Sequence, residues 1–314
     1  MNIREIQPTP IQKLNQKLNE NNFYIKRDDL ISFSFGGNKV RKAFLFFEDL
    51  ENTNSDYVVT YGSSSSNHCR VIANIAASKK LPCIIISPNE LSKNTFNKYM
   101  MDIFGAEIIQ CPVTKVKSTI DNKLRELKNK GFKPYFIQGG GHGNLGTQAY
   151  VDTYKEIIDF ENDSNVNFDY IFHTSGTGTT QAGLICGNLI HNNSKKIIGI
   201  SNARNQNLGE KVVLESVNNY LESIGKKPVS SECVNFIDDY ILDGYGSYNN
   251  DILQTIRDVL INEGIPLDTT YTGKAYWGMA EYIKKHNITG KNILFIHTGG
   301  TPLFFDNLGE LMDG

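Results

Sequence analysis

The segment Gly36-Gly37-Asn38-Lys39-Val40-Arg41-Lys42 delivers a lysine just beyond a glycine pair. Glycine lets backbone approach a ligand closely. A deprotonated lysine amine can form a Schiff base with a carbonyl compound. A lysine alone is ordinarily a solvated surface charge. Lys39 gains weight from four later segments rich in Gly, Ser and Thr. Gly62-Ser63-Ser64-Ser65-Ser66-Asn67-His68 offers hydroxyls at the start of an expected helix, which favours an anion such as a carboxylate. A serine-rich helix cap is the alternative there, and His68 is expected to be structural. Gly139-Gly140-Gly141-His142-Gly143-Asn144 allows either close backbone approach or a hinge. Ser175-Gly176-Thr177-Gly178-Thr179-Thr180 is the best phosphate cradle, because successive N–H groups and hydroxyls can ring a phosphate at a helix start. It is neither a P-loop nor a GxGxxG turn. His297-Thr298-Gly299-Gly300-Thr301-Pro302 would point the Thr298 hydroxyl into the same crevice. Tyr245 and Tyr271, each in a Gly-containing turn, are candidate phenols, with simple packing the alternative among 15 tyrosines.

Those segments sit where expected strands hand over to expected helices. Apolar runs predict strands at 57–60, 83–86, 107–110, 135–137, 170–173, 197–200, 240–242 and 293–296. Helical spacing predicts helices from about 40 and over 67–80, 93–104, 116–130, 145–160, 179–191, 206–224, 249–263 and 273–286. This alternation predicts an α/β fold with parallel sheets covered by helices on both faces. Ligands bind such sheets at the carboxyl ends of the strands. The polar stretch 161–167 reads as a linker or exposed turn between the halves. Trp277 is expected to pack within a helix.

A chain of 314 residues suggests two domains or one large α/β unit. The formal net charge of −2 gives no basic surplus, so nucleic acid is not expected as a partner. No apolar run reaches membrane-spanning length, and residues 1–5 lack the apolar stretch of a signal peptide. Five scattered cysteines without a CxxC pair read as reduced thiols of a cytoplasmic protein. No close Cys/His group suggests a metal.

Taken together, GGNKxRK, SNH, SGTGTT, YTGKA and HTGG resemble the fold-type II pyridoxal 5′-phosphate (PLP) enzymes, the tryptophan-synthase-β-like group. Within it the chain is most similar to the D-cysteine desulfhydrase / 1-aminocyclopropane-1-carboxylate (ACC) deaminase family, from Thr9-Pro10 to the C-terminus. The resemblance implies two open parallel-sheet domains: a large cofactor-binding one (1–42 plus 153–314) and a small one (43–152) inserted into it. It implies a homodimer and a small amino-acid substrate. Lys39 would hold the cofactor and later move the substrate Cα proton. Asn67 would meet the cofactor 3′-oxygen, and Ser175, Gly176, Thr177, Gly178, Thr179 and Thr180 would form its phosphate site. Ser66 would lie by the substrate carboxylate, Tyr245 and Tyr271 on the substrate side, and Thr298 at the pyridine nitrogen.

Two positions discriminate within the family. By the resemblance, ACC deaminases carry glutamate where Thr272 stands and leucine where Thr298 stands, and both differences resemble desulfhydrases. Ser65 departs from the glutamine usual in desulfhydrases. The implied activity is β-elimination from D-cysteine to pyruvate, sulfide and ammonia. β-Replacement through the same activated substrate is an alternative, as is a lyase acting on cysteate, D-serine or ACC. A non-catalytic binding protein or a nucleotide-binding domain would need neither Lys39 nor this set of loops.

Overall fold

Ile293, Leu294, Phe295 and Ile296 are all buried. Such a run suits a parallel sheet covered on both faces, not a half-exposed strand. The computed structural model describes residues 6–89 and 95–312. Residues 1–5, and Lys93 at the start of the helix expected over 93–104, lie outside the described residues. Among the described residues the strands are β1 (Ile11–Lys13), β2 (Asn22–Arg27), β3 (Tyr57–Tyr61), β4 (Cys83–Pro88), β5 (Glu107–Cys111), β6 (Pro134–Ile137), β7 (Tyr170–Ser175), β8 (Lys196–Ser201), β9 (Asn235–Ile237) and β10 (Asn292–His297). The α-helices are α1 (Asn38–Asn52), α2 (Asn67–Ser78), α3 (Phe96–Ile103), α4 (Val116–Asn129), α5 (Asn144–Ser164), α6 (Thr179–Ile190), α7 (Gln206–Ser223), α8 (Asn250–Glu263), α9 (Thr272–Lys285) and α10 (Thr301–Asp306).

The strands form two sheets, one ordered β1-β2-β10-β7-β8-β9 and the other β5-β4-β3-β6. Every pairing is parallel except β1 with β2, an antiparallel edge. Alternation along β10 shows how the larger sheet is covered. Ile293 and Phe295 pack with Ile252, Ile256 and Met279 of α8 and α9. Leu294 and Ile296 pack with Tyr150, Leu184 and Val217 on the opposite face. The smaller sheet repeats this: Val58 and Ile85 face α1 and α2, whereas Val59 and Ile84 face α4. Helix α6 lies tight on α5 because Gly183 and Gly187 have no side chain. A Cβ at either would come within 2.4 Å of the Cβ of Tyr150 or Tyr154.

The structure corrects two sequence expectations. The strand expected at 240–242 lies earlier, at Asn235–Ile237. Leu242 takes a left-handed φ of 54°, which ends any extended run, and Tyr240 instead packs edge-on against Trp277 of α9. The stretch 161–167 does not separate the halves, because α5 runs on through Ser164. Glu161 is buried, accepts the Phe168 N–H at 2.7 Å and pairs with Lys195 at 3.0 Å. Its charge is a structural tie, so polarity was a poor guide to exposure there.

Strand β2 was hidden by the charges at its end. Lys26 is fully buried and meets Glu156 of α5 at 2.5 Å. Arg41 of α1 meets the same carboxylate at 2.6 Å and Asp28 at 2.8 Å. Tyr150 and Thr9 donate to Asp28 at 2.7 and 2.8 Å. Burial alone would raise the Asp28 pKa, but Arg41 and Lys26 outweigh it and hold the carboxyl below its ordinary range. The Asp28 carbonyl also accepts the Gly37 N–H at 2.7 Å. This buried network therefore fixes the entry to α1, the helix that carries Lys39.

Candidate active site

Lys39 is the second residue of α1, and Gly37 is the helix N-cap. Gly37 has φ +96°, and a Cβ there would stand 2.7 Å from the Thr298 carbonyl oxygen. That carbonyl accepts the Asn38 N–H at 3.0 Å, so the loops after β10 and before α1 are locked together. Lys39 Nζ donates to the Gly140 carbonyl at 3.1 Å. Burial lowers its pKa to about 8, opposed by a smaller influence of Cys69. The glycine-rich loop after β6 thus acts by close approach: a Cβ on Gly140 would lie 2.6 Å from the Thr177 methyl.

Gly176, Thr177 and Gly178 line the same cavity of about 860 Å³, which also contains Lys39, Asn67 and Thr298. Gly178 caps α6 with φ +96° and brings no side-chain hydrogen bond to the helix start. Because Gly178 and Thr180 line the cavity, the start of α6, the positive end of its dipole, lies at the cavity wall. Thr180 lines it too and accepts from Asn38 Nδ2 at 3.2 Å. Two sequence candidates serve differently from their neighbours. The Ser175 hydroxyl donates to Gln181 at 2.9 Å, and the Thr179 hydroxyl accepts from Lys42 at 2.8 Å. Their hydroxyls brace the loop from behind.

On the other side, Ser66 caps α2 by accepting the Cys69 N–H at 3.2 Å. Its hydroxyl proton remains available to the cavity, so cap and ligand readings are compatible. Asn67 accepts from Asn97 Nδ2 at 2.9 Å, which leaves its own amide N–H groups for the cavity. His68 meets the Thr60 hydroxyl at 2.8 Å, and burial pushes its pKa well down, as suits a structural histidine. The Tyr245 and Tyr271 hydroxyls lie 2.7 Å apart, with Ser65 3.4 Å from Tyr245. Burial and the neighbouring Tyr245 raise the Tyr271 pKa well above normal, so its phenol stays protonated.

Thr298 lines the cavity and Thr272 does not. Thr272 is fully buried, and its hydroxyl donates to Asp268 at 2.8 Å. Asp268 also accepts the Thr270, Tyr271 and Thr272 N–H groups at 2.9, 2.7 and 3.1 Å, which mounts Tyr271 rigidly at the head of α9. His297 accepts the Gly299 N–H at Nδ1, 3.2 Å, and donates from Nε2 to Pro266, 2.7 Å. These contacts shape the turn before Thr298.

Two contributors escaped the sequence reading. Lys42 is buried, and burial together with the Lys39 charge pushes its pKa far down. Its i, i+3 spacing from Lys39 was the available signal. Asn97 is fully buried and donates to Ser65 O at 2.8 Å and Asn67 Oδ1 at 2.9 Å. No local pattern marks it. Among the described residues, neither Lys39 nor Lys42 pairs with a carboxylate. Of the two lysines only Lys39 lines the cavity, where it stands with the residues at the start of α6.

A glycine- and threonine-rich loop at a helix start, an amine of lowered pKa and two mainly parallel sheets are the features of a fold-type II PLP enzyme, and the family match bears this class out. The family of pyridoxal-phosphate-dependent enzymes matches residues 3–299, and the chain belongs to it. A protein of Pyrococcus furiosus, provisionally named 1-aminocyclopropane-1-carboxylate deaminase, is 35% identical over 301 residues, covering 93% of this chain and 89% of that protein. One of Pyrococcus horikoshii with the same provisional name is 36% identical over 303 residues, with the same coverage. A crystal structure described as an ACC deaminase homologue is 32% identical, with a TM-score of 0.89, over 98% of this chain and 95% of that one.

If the neutral Lys39 amine captures the cofactor, a pKa of about 8 fixes the pH response. The neutral fraction rises about tenfold per pH unit below that value and levels off above it. Cofactor capture by the apo-protein, followed by absorbance after rapid mixing, should show that limb. A flat rate between pH 6 and about 8 would contradict it.

Proposed function

We propose that this chain is a PLP-dependent lyase that converts D-cysteine and one water to pyruvate, hydrogen sulfide and ammonia. The carrying observation is the hydroxyl character of the two discriminating positions. Thr298 offers the cavity a neutral group, and Thr272 is turned away onto Asp268. When bound, PLP supplies an electron sink for negative charge developing at a substrate Cα. Lys39 would hold its carbonyl carbon and, once released, take the Cα proton on Nζ. Gly176, Thr177, Gly178 and Thr180, with the N–H groups at the start of α6, would bind the phosphate, and Lys42 would brace that loop through Thr179. Asn67 would donate to the ring 3′-oxygen, and Ser66 to the substrate carboxylate. Tyr271, kept protonated, would give its proton to the departing sulfur, with Tyr245 orienting it. Thr298 would face the ring nitrogen without holding a charge there.

The same reading divides the chain into a large unit (1–42 plus 153–314) and an inserted one (43–152), supported by a second sheet confined to residues 57–137. It includes a homodimer, supported by exposed Phe96, Tyr99 and Ile103 on α3 beside Phe305 on α10, and a cytoplasmic setting. The names of the relatives favour a second reading, deamination of ACC to 2-oxobutyrate. Purified protein with PLP should release pyruvate and sulfide from D-cysteine. Release of 2-oxobutyrate from ACC, with no pyruvate from D-cysteine, would move the assignment to the second reading.

The cradle supports a further prediction. Alanine at Gly178 must adopt φ +96° and place its Cβ 3.2 Å from Val212 Cγ1. Left-handed backbone costs an ordinary residue about 1–2 kcal/mol. A loop that relaxes to escape this must be reformed to bind phosphate, so the PLP dissociation constant should rise about five- to thirtyfold. Fluorescence titration of Gly178→Ala checks this, and unchanged affinity would count against the cradle.

A further inference from the structure

We propose that the buried ammonium of Lys274 is the positioning residue for the Tyr245 phenol, and through it for the Tyr245–Tyr271 pair. This rests on the reading of Tyr245 given under the proposed function. Lys274 lies in the first turn of α9, is fully buried and does not line the cavity. Its Nζ donates to the Ile241 carbonyl at 3.1 Å, the Gly244 carbonyl at 2.9 Å and the Ser247 hydroxyl at 3.4 Å. Three donors meet three acceptors, all on the turn over 241–247.

That turn needs an external hold. Leu242, Gly244 and Gly246 all have left-handed φ, of 54, 108 and 79°. Tyr245 itself is 48% exposed, so little packing secures it. Ser247 donates to the same two carbonyls, at 3.3 and 2.8 Å, and closes the turn around the ammonium.

Lys274 forms no direct ion pair among the described residues. Asp243 and Asp268 are the acidic groups that act on Lys274, and both favour its charged form, against burial, which lowers its pKa to about 8. Asp268 is already taken by the head of α9. The Asp268 carboxyl thus mounts Tyr271 and the Lys274 amine mounts the turn of Tyr245, both near one helix end. Their hydroxyls meet at 2.7 Å, and the two mounts lie at and just before the N-terminal end of α9.

The test uses PLP-loaded enzyme and Lys274→Met. Amide hydrogen exchange at Gly244 and Ser247, whose N–H groups close the turn, should speed up about tenfold or more relative to the middle of α9. The kcat for pyruvate from D-cysteine should fall about 10- to 100-fold with PLP affinity unchanged, and this loss should vanish in a Tyr245→Phe background. Unchanged exchange would overturn the proposal, as would equal losses in both backgrounds. If Tyr245→Phe alone keeps full activity, the reading of Tyr245 fails, while the exchange result still judges whether Lys274 holds the turn. Should Lys274→Met not fold, Lys274→Gln keeps two donors and is expected to give the same pattern at smaller size.

Discussion

Lys39→Ala is expected to reduce turnover by at least about 10⁴-fold, the upper range for one acid–base group, because the same amine also tethers the cofactor. The fold should survive. Lys39 makes one hydrogen bond, to Gly140, and belongs to no ion pair among the described residues. PLP should still bind through the cradle around Gly178, but more weakly and without a lysine linkage. Circular dichroism and turnover measured on one preparation check this. Activity within tenfold of the parent would remove Lys39 from its role.

Arg41→Met should carry the largest cost in stability. Arg41 serves Asp28 and Glu156 at once, through contacts of 2.6 to 2.9 Å. Methionine would leave Asp28, fully buried, with Tyr150, Thr9 and the influence of Lys26. Breaking a buried ion pair from one side costs about 3–5 kcal/mol. Urea denaturation should show that loss as a lower midpoint. The network also fixes the pH response. Because the Asp28 pKa is lowered on folding, its contribution is present above the ordinary carboxylate pKa and is lost as pH falls through the folded value. The parent should therefore weaken at acid pH more than Arg41→Met does. A loss under about 1 kcal/mol would mean the network adds little. Since Arg41 stands two residues from Lys39, the variant should also bind PLP less well.

Much of this architecture was readable because it is local. Parallel strands covered on both faces leave unbroken apolar runs, as in Ile197-Ile198 and Ile293-Leu294-Phe295-Ile296. Glycine, serine and threonine at strand–helix junctions announced the loops around Lys39, Ser66, Gly178 and Thr298. What stayed hidden depends on partners far along the chain. The strand over Asn22–Arg27 ends in charges, of which Lys26 is paired by Glu156 of α5, far along the chain. Glu161 looked like linker because Lys195 was not in view. Lys42, Asn97 and Lys274 are ordinary polar residues by sequence, and their value comes from Thr179, Asn67 and the turn at 241–247. Substrate choice is hidden for the same reason, since Thr272 and Thr298 differ in role only through where the fold turns each hydroxyl.

The measurement that bears most directly on the central claim is the site of the cofactor linkage. Protein incubated with PLP, reduced with borohydride and digested should carry the phosphopyridoxyl group on Lys39, as mapped by peptide mass spectrometry. Lys42 is the demanding competitor, three residues on, buried and also of lowered pKa. Label on Lys39, with Lys42 unmodified, is the result expected from an amine that faces the cavity beside Gly140. Label on Lys42, or on a surface lysine with Lys39 untouched, would contradict the account.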